Sequence, residues 1–207
     1  MPDAVPDEVA RLEALLGVPV GLVAAVICDD SDVAKAVRGG VAERVLADSL
    51  AAEPGVVEVR APAGRGTADR EAVYHDGTVL RIEAKHVDSA AYANGSAKLD
   101  MRRGTPGRDG RLYRTDSFDI VAACLYNRTG TWEWRYKAAA LLRSSPVADG
   151  EGVLQERIAA SQHVDGTWRA HLADAIADAK RAGVDLGVAT ATAGPERIVS
   201  TQLRFDA

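Results

Sequence analysis

The apolar positions divide this chain into a helical beginning, a strand-rich middle and a helical end. In residues 7–17, Val9, Leu12, Leu15 and Leu16 recur at helical spacing, and Gly17 and Pro19 stop the pattern. Residues 20–28 are apolar throughout and fit a buried helix and a strand equally. Ser31 or Asp32 can cap a helix running to about Ala52 and closing at Pro54-Gly55. Val33, Val37, Val41 and Val45 form much of its expected buried stripe. The period then falls to two. Val56 to Arg60, Asp69 to Tyr74 and Thr78 to His86 read as strands, and residues 88–102 as a helix. Phe118 to Leu125 is an apolar run of strand length, suited to burial on both faces. Thr131 to Lys137 alternates strictly, which puts Trp132, Trp134 and Tyr136 on one strand face as expected core. Helices are expected at 138–143, near 151–160 and from Thr167 to Ala182, the last with Leu172 and Ile176 inward and Gly183 as its stop.

The order helix, sheet, helix predicts an α/β fold, a central mixed β-sheet flanked by helices on both faces. The expected division is an N-terminal helical segment (1–30), a core (31–145) and a C-terminal helical extension packed on the core (146–207), together one domain. Composition adds little to this. At 207 residues and 47% hydrophobic content, a large core is within reach. No basic-then-apolar leader and no apolar run near about 18 residues is visible, so a cytoplasmic protein without a membrane segment is expected. Cys28 and Cys124 sit in apolar runs and read as small core residues rather than a disulfide. Asn127-Arg128-Thr129 fits a glycosylation pattern that means little without a secretion signal.

Charge is more informative locally than globally. The net charge of −5 argues against indiscriminate coating of nucleic acid. Yet residues 98–114 carry six basic side chains (Lys98, Arg102, Arg103, Arg108, Arg111, Arg114) against Asp100 and Asp109. Such a strip attracts a polyanion, and Gly104, Pro106, Gly107 and Gly110 make it equally readable as a solvated loop.

The candidate chemistry centres on Glu83-Ala84-Lys85. Side chains alternate along a strand, so Glu83 and Lys85 share a face. The partner acid is Asp69, and its position depends on the hairpin register. A two-residue Asp76-Gly77 turn pairs His75 with Thr78 and turns Asp69 away from Glu83. A three-residue loop of His75, Asp76 and Gly77, with Gly77 left-handed, pairs Tyr74 with Thr78. Asp69 then faces Glu83, Glu71 faces Arg81, and opposed Cβ atoms lie about 4.5–5.5 Å apart. Two carboxylates so close call for a cation, which is how an all-oxygen Mg²⁺ site begins. Both registers suit the sequence. Asp69, Glu83 and the Ala84 carbonyl would then hold Mg²⁺, with Mn²⁺ a possible substitute, and Lys85 would orient a water and stabilise charge on a phosphate. Glu43, mid-helix, is a further carboxylate able to ligate directly or through water. Gly39 and Gly40, one turn earlier, cost helix stability of up to about 1 kcal/mol each and suggest a close approach there. His86 points away from Lys85 and reads as structural, His75 as a turn residue, and His163 and His171 lack partners at metal-ligand spacing.

These residues resemble the PD-(D/E)XK nuclease superfamily, the restriction-endonuclease-like fold. The resemblance rests on a helix bearing Glu43, Asp69 opening a hairpin strand, and Ile82-Glu83-Ala84-Lys85 on the next, over residues 32–137. The family's usual proline before the aspartate is replaced by Ala68. Gly110 to Leu125, followed by Trp132-Glu133-Trp134-Arg135, looks like the segment after the active site in some bacterial type II restriction-type endonucleases. The resemblance implies a Mg²⁺-dependent endonuclease acting on double-stranded DNA, in a restriction or defence role and often as a homodimer. By the same analogy Lys98, Arg102, Arg103, Arg108, Arg111, Tyr113 and Arg114 face DNA, mostly at phosphates. The rival readings are an inactive nucleic-acid-binding module on the same fold, a nuclease for RNA or branched DNA, and a protein whose Glu-x-Lys is a surface ion pair.

Overall fold

The computed structural model describes residues 5–62, 68–102, 112–145, 152–155, 157–160 and 167–188. Contacts divide the chain into two compact units, Met1–Val41 and Ala42–Ala207. In the first unit, α1 (Val5–Leu16) ends at Gly17, whose φ of 67° suits a residue without Cβ. Glu13 accepts the Val20 N–H at 2.8 Å and so ties the end of α1 to the start of α2 (Val20–Asp29). The ambiguous apolar run is thus a helix, and it is not buried: Leu22 is 53% and Val26 48% exposed. Cys28 is exposed as well, against expectation, whereas Cys124 is buried. No single described helix is long and apolar enough to cross a membrane, and the α1–α2 pair that would qualify by composition is bent by 74°.

The third helix, α3 (Ser31–Ala51), begins on a cap one residue earlier than expected. The Asp30 carboxylate accepts the N–H groups of Asp32 (2.8 Å) and Val33 (3.1 Å). Its buried stripe is Ala42, Leu46 and Leu50 rather than the valines, of which Val37 and Val41 are exposed. The larger leucines, spaced by four, set the face that turns inward. A Cβ at Gly39 or Gly40 would meet nothing within 4 Å among the described residues.

Among its described residues the second unit has eight strands: β1 (Val56–Arg60), β2 (Arg70–Tyr74), β3 (Thr78–Ala91), β4 (Ala97–Asp100), β5 (Ile120–Cys124), β6 (Trp134–Ala138), β7 (Arg157–Ala160) and β8 (Gly187–Val188). The sheet is mixed. β1, β2 and β3 form an antiparallel run, β5 lies parallel to β3, and β6 runs antiparallel to β5. β3 continues five residues beyond the expected strand and turns back into β4, where a helix over 88–102 was expected. The turn is Tyr92 to Gly95, with Gly95 at φ 81°, and Asn94-Gly95 is a hairpin signal that outweighs the helical composition around it. The expected helix near 151–160 instead yields β7, paired with β4, because Ile158 and Ala160 turn inward at a period of two. β5 is buried on both faces, as its apolar run required. A four-residue helix, α4 (Tyr126–Thr129), and a short 3₁₀ turn at Ala139–Leu141 bracket β6. The last helix, α5 (Leu172–Arg181), starts five residues later than expected.

Two apolar clusters lie on opposite faces of β5. Ile120, Ala122 and Cys124 join Leu80 and Ile82 of β3, Leu46 and Leu50 of α3, and Leu172 and Ala175 of α5. Trp134 and Tyr136 belong to this cluster and are core residues, as expected. Val121 and Ala123 face Val87, Leu99, Met101, Tyr113, Phe118 and Trp168. The two helices in the second unit's core therefore pack on one face, and β4, β7 and the segments around Tyr113 and Trp168 cover the other. Helices on both faces were expected; the described residues show them on one. The second face carries Glu83 and Lys85, and its covering segments decide what those side chains meet.

Candidate active site

The hairpin between β2 and β3 uses the three-residue loop. Glu71 stands opposite Arg81 and Ala72 opposite Leu80, and Gly77 has φ 82° and donates its N–H to Tyr74 O at 2.9 Å. Asp69, one residue before β2, continues that register to the position facing Glu83. Its Oδ2 accepts the Ala84 N–H at 2.9 Å. β2 has ended here, so the side chain of Asp69 takes the place of a ladder partner. N–H and C=O of one strand residue point to the same edge, so the Ala84 carbonyl also faces the Asp69 side. Ala68, in the position where the resembling family has proline, is buried at 5% exposure and anchors the entry to the strand.

Glu83 is 1% exposed, and Lys85 projects from the same face. The Lys85 ammonium lies 2.8 Å from Glu83 Oε1. Tyr113 completes the group: its hydroxyl donates to Glu83 Oε1, accepts from Lys85 Nζ at 3.2 Å, and its ring lies 4.9 Å from Nζ. One oxygen of Glu83 is thus doubly held. The other, Oε2, is buried and has no hydrogen-bond partner among the described residues. Burial pushes the Glu83 carboxyl above the usual glutamate range; Lys85 opposes this, Asp69 adds to it, and the hydrogen bonds from Lys85 and Tyr113 oppose it. A buried carboxylate oxygen without a donor is costly, by about 1–3 kcal/mol or more, and such atoms mark places where a partner belongs.

A divalent cation would suit that oxygen. Asp69, the orphaned Glu83 Oε2 and the Ala84 carbonyl are all oxygen ligands, and Mg²⁺ is commonly held by one or two carboxylates with water completing its shell. Among the described residues, no group of three or more His, Cys, Asp or Glu side chains gathers to hold a metal. Glu43 therefore does not join the pair as a direct ligand. Its carboxylate lies 3.3 Å from Arg70 Nη2, and Arg70 Nη1 donates to the Asp69 carbonyl at 2.6 Å. Arg70, which the sequence reading passed over, thus links Glu43 to the backbone of Asp69. It immediately follows Asp69, and a cation in that position was the available signal. His86 stands apart from this chemistry, with its ring edge-on to Trp132 at 6.3 Å.

Tyr113 was expected to face DNA from the basic strip. It is instead 6% exposed, inside the second cluster and edge-on to Phe118 at 5.4 Å. The signal for this was its setting: Leu112-Tyr113 is the apolar pair in an otherwise charged and glycine-rich segment. Among the other expected DNA-facing residues, Arg102 chelates Asp100 through Nε (2.9 Å to each oxygen) and Arg114 lies 3.5 Å from Asp116. Lys98 lies on β4 with Nζ 5.3 Å from the Tyr92 ring. Arg103, Arg108 and Arg111 lie outside the described residues. Replacing Tyr113 with phenylalanine keeps the ring and removes the bridge between Lys85 and Glu83. Loss of a supporting hydrogen bond of this kind typically costs about 10–100-fold in activity or metal affinity. The hydroxyl also lowers the proton affinity of Glu83, so the acid limb of a pH–rate profile should move to higher pH in Tyr113→Phe.

No family model matches the chain, and no curated protein matches it. Among solved structures, one similar chain is the bacterial homing endonuclease I-Ssp6803I, at 16% identity, over 62% of this chain and 79% of that one, with a TM-score of 0.42. The chemistry is therefore read from the side chains themselves.

Proposed function

We propose that this chain is a Mg²⁺-dependent endonuclease of restriction-endonuclease-like type that hydrolyses phosphodiester bonds in double-stranded DNA. The observation that carries the reading is the pairing of Asp69 with Glu83, whose buried Oε2 has no protein partner, beside the Lys85 ammonium. Asp69, Glu83 and the Ala84 carbonyl would hold the cation, which when bound neutralises charge on a phosphate and lowers the pKa of a water. The residues themselves set the rest. Lys85 offers a positive charge to the phosphate oxygens as negative charge grows on them, and a donor that orients the attacking water. Tyr113 holds both Lys85 and Glu83 Oε1, so Oε2 is the oxygen that would meet a cation. Arg70 restrains the Asp69 backbone and keeps Glu43 close enough to act through water. Lys98, Arg102 and Arg114 are the described cations of the basic strip, and Arg102 and Arg114 would exchange Asp100 and Asp116 for a phosphate. Cutting two strands needs two such sites, which favours a homodimer.

Supercoiled plasmid incubated with Mg²⁺ tests the reading: nicked and linear products that vanish with EDTA are expected. Cation binding gives a second readout. The ligand form of Glu83 is the carboxylate, and its proton is held above the usual range. Binding should therefore release a proton and tighten as pH rises through the range above an ordinary glutamate pKa. Calorimetry of Mn²⁺ binding in buffers of different ionisation enthalpy measures both. A pH-independent affinity would count against Glu83 as a ligand.

A further inference from the structure

Among its described residues the N-terminal unit has no core of its own: no side chain from Asp7 to Val41 is buried. α2 is apolar on every side, a composition that goes with full burial, and it holds no buried residue. Leu15, Leu16, Leu22, Val26, Val37 and Val41 are all large and exposed. A piece near about 40 residues holds its fold only against something else. Charge narrows what that is. Seven acidic residues against three basic ones precede Ala42, so the unit repels nucleic acid and anionic lipid. No single described helix is long and apolar enough to cross a membrane. The matching surface is therefore an apolar face of a protein. α3 carries one of the right form. Val33, Val37 and Val41 make a row at spacing four, turned about 100° from the row Ala42, Leu46 and Leu50 that is buried. Rows of this spacing interdigitate at about 50°, the commonest helix crossing. The row is symmetric about Val37, so a twofold axis there sets Val37 against the partner's Val37. Ala34 and Gly40 flank Val37 three residues to either side, and their small size leaves room for the partner's valines.

We propose that a second copy of this chain docks on the N-terminal unit, through the exposed apolar side chains of α1 to α3, with the two α3 helices crossing at Val37. The choice of a second copy rests on the nuclease reading, in which two strands call for two active sites, and on the self-complementary valine row. Covering the six exposed residues on both copies removes roughly 1,200 Å² from water, where specific interfaces begin. Light scattering on the full chain, in EDTA and without DNA, reads the assembly apart from any cleavage. A dimer is expected, and Val37→Glu should raise its dissociation constant at least about tenfold. A short bismaleimide should join Val37→Cys, in a Cys28→Ser background, into covalent dimers, since Cys124 is buried and residue 37 lies on the axis. Lys35→Cys in the same background points to the other side of α3 and should not be joined. This second readout serves if Val37→Glu does not fold. The proposal fails if the chain is a monomer at every concentration, if Val37→Glu dimerises as tightly as the parent, or if residues 35 and 37 cross-link equally. It fails as well if the chain floats with neutral phosphatidylcholine vesicles and Leu22→Glu does not, which would assign the face to lipid. A monomer that cuts plasmid removes the interface and leaves the nuclease reading, and a dimer that does not cut does the reverse.

Discussion

Glu83→Gln should lose at least about a thousandfold in DNA cleavage, the scale expected when charge stabilisation at the reacting phosphate is removed, while folding as well as or better than the parent. The two halves of this result have one cause. Glu83 is buried, one of its oxygens has no partner, and its carboxyl holds a proton above the usual range because burial outweighs the help from Lys85. Its folded pKa is raised, so between the ordinary glutamate pKa and the raised one the native state binds more protons than the unfolded state. Stability of the metal-free protein then falls as pH rises through that window and is level above it. Glutamine carries no such penalty. In EDTA, the melting temperature of Glu83→Gln relative to the parent should climb across the window and stay at its higher value at neutral pH. A variant that cuts within tenfold of the parent would remove Glu83 from the chemistry. A variant that melts well below the parent at neutral pH would make the carboxylate structural.

Asp119→Ala should cost about 2–4 kcal/mol, because it breaks a buried, charge-assisted set of bonds rather than a surface pair. Asp119 is 2% exposed and accepts from the Arg81 backbone N–H (2.8 Å), Nη2 (2.8 Å) and Nε (3.3 Å). Its own N–H returns to Arg81 O at 2.9 Å. This exchange locks the start of β5 beside β3 and so fixes the parallel register that sets Val121 next to Glu83. For a chain of this size the loss corresponds to a melting point lower by about 4–16 °C. Asp119→Asn, which keeps an acceptor for the backbone N–H, should lose less. A cost under about 1 kcal/mol for the alanine variant would mean that apolar packing of β5 alone sets the register.

The site was legible in the sequence to the extent that strand periodicity governs it. Alternation put Glu83 and Lys85 on one face, and the apolar run at 118–125 gave a strand buried on both sides. The placement of Asp69 was narrowed to two registers and no further, since Asp76-Gly77 suits a two-residue and a three-residue loop alike. The three-residue loop is held by Gly77 in the left-handed region and by the Asp76 carboxylate, which accepts the Thr78 N–H at 2.9 Å. The surroundings of Glu43 were not readable, because its azimuth on α3 depends on which side chains turn inward, and Ala42, Leu46 and Leu50 do so in place of the valines; its carboxylate meets Arg70. Tyr113 was assigned to DNA by its basic neighbours, although tertiary packing with Phe118 decides its direction. The strand in place of the helix at 88–102 was readable from Asn94-Gly95, had the turn been weighed above composition.

The most direct test compares wild type and Lys85→Ala, at equal concentration and with matched melting curves, on supercoiled plasmid with Mg²⁺ and with EDTA. Lys85 supports Glu83 and Tyr113 through its side chain, so the matched melting curves separate lost chemistry from lost stability. Metal-dependent nicking by the wild type, abolished by EDTA and reduced at least about a hundredfold in Lys85→Ala, is the expected result. Cutting that persists in EDTA or in Lys85→Ala, or the absence of both cutting and binding on methylated and unmethylated DNA, would contradict a nuclease built on Asp69, Glu83 and Lys85.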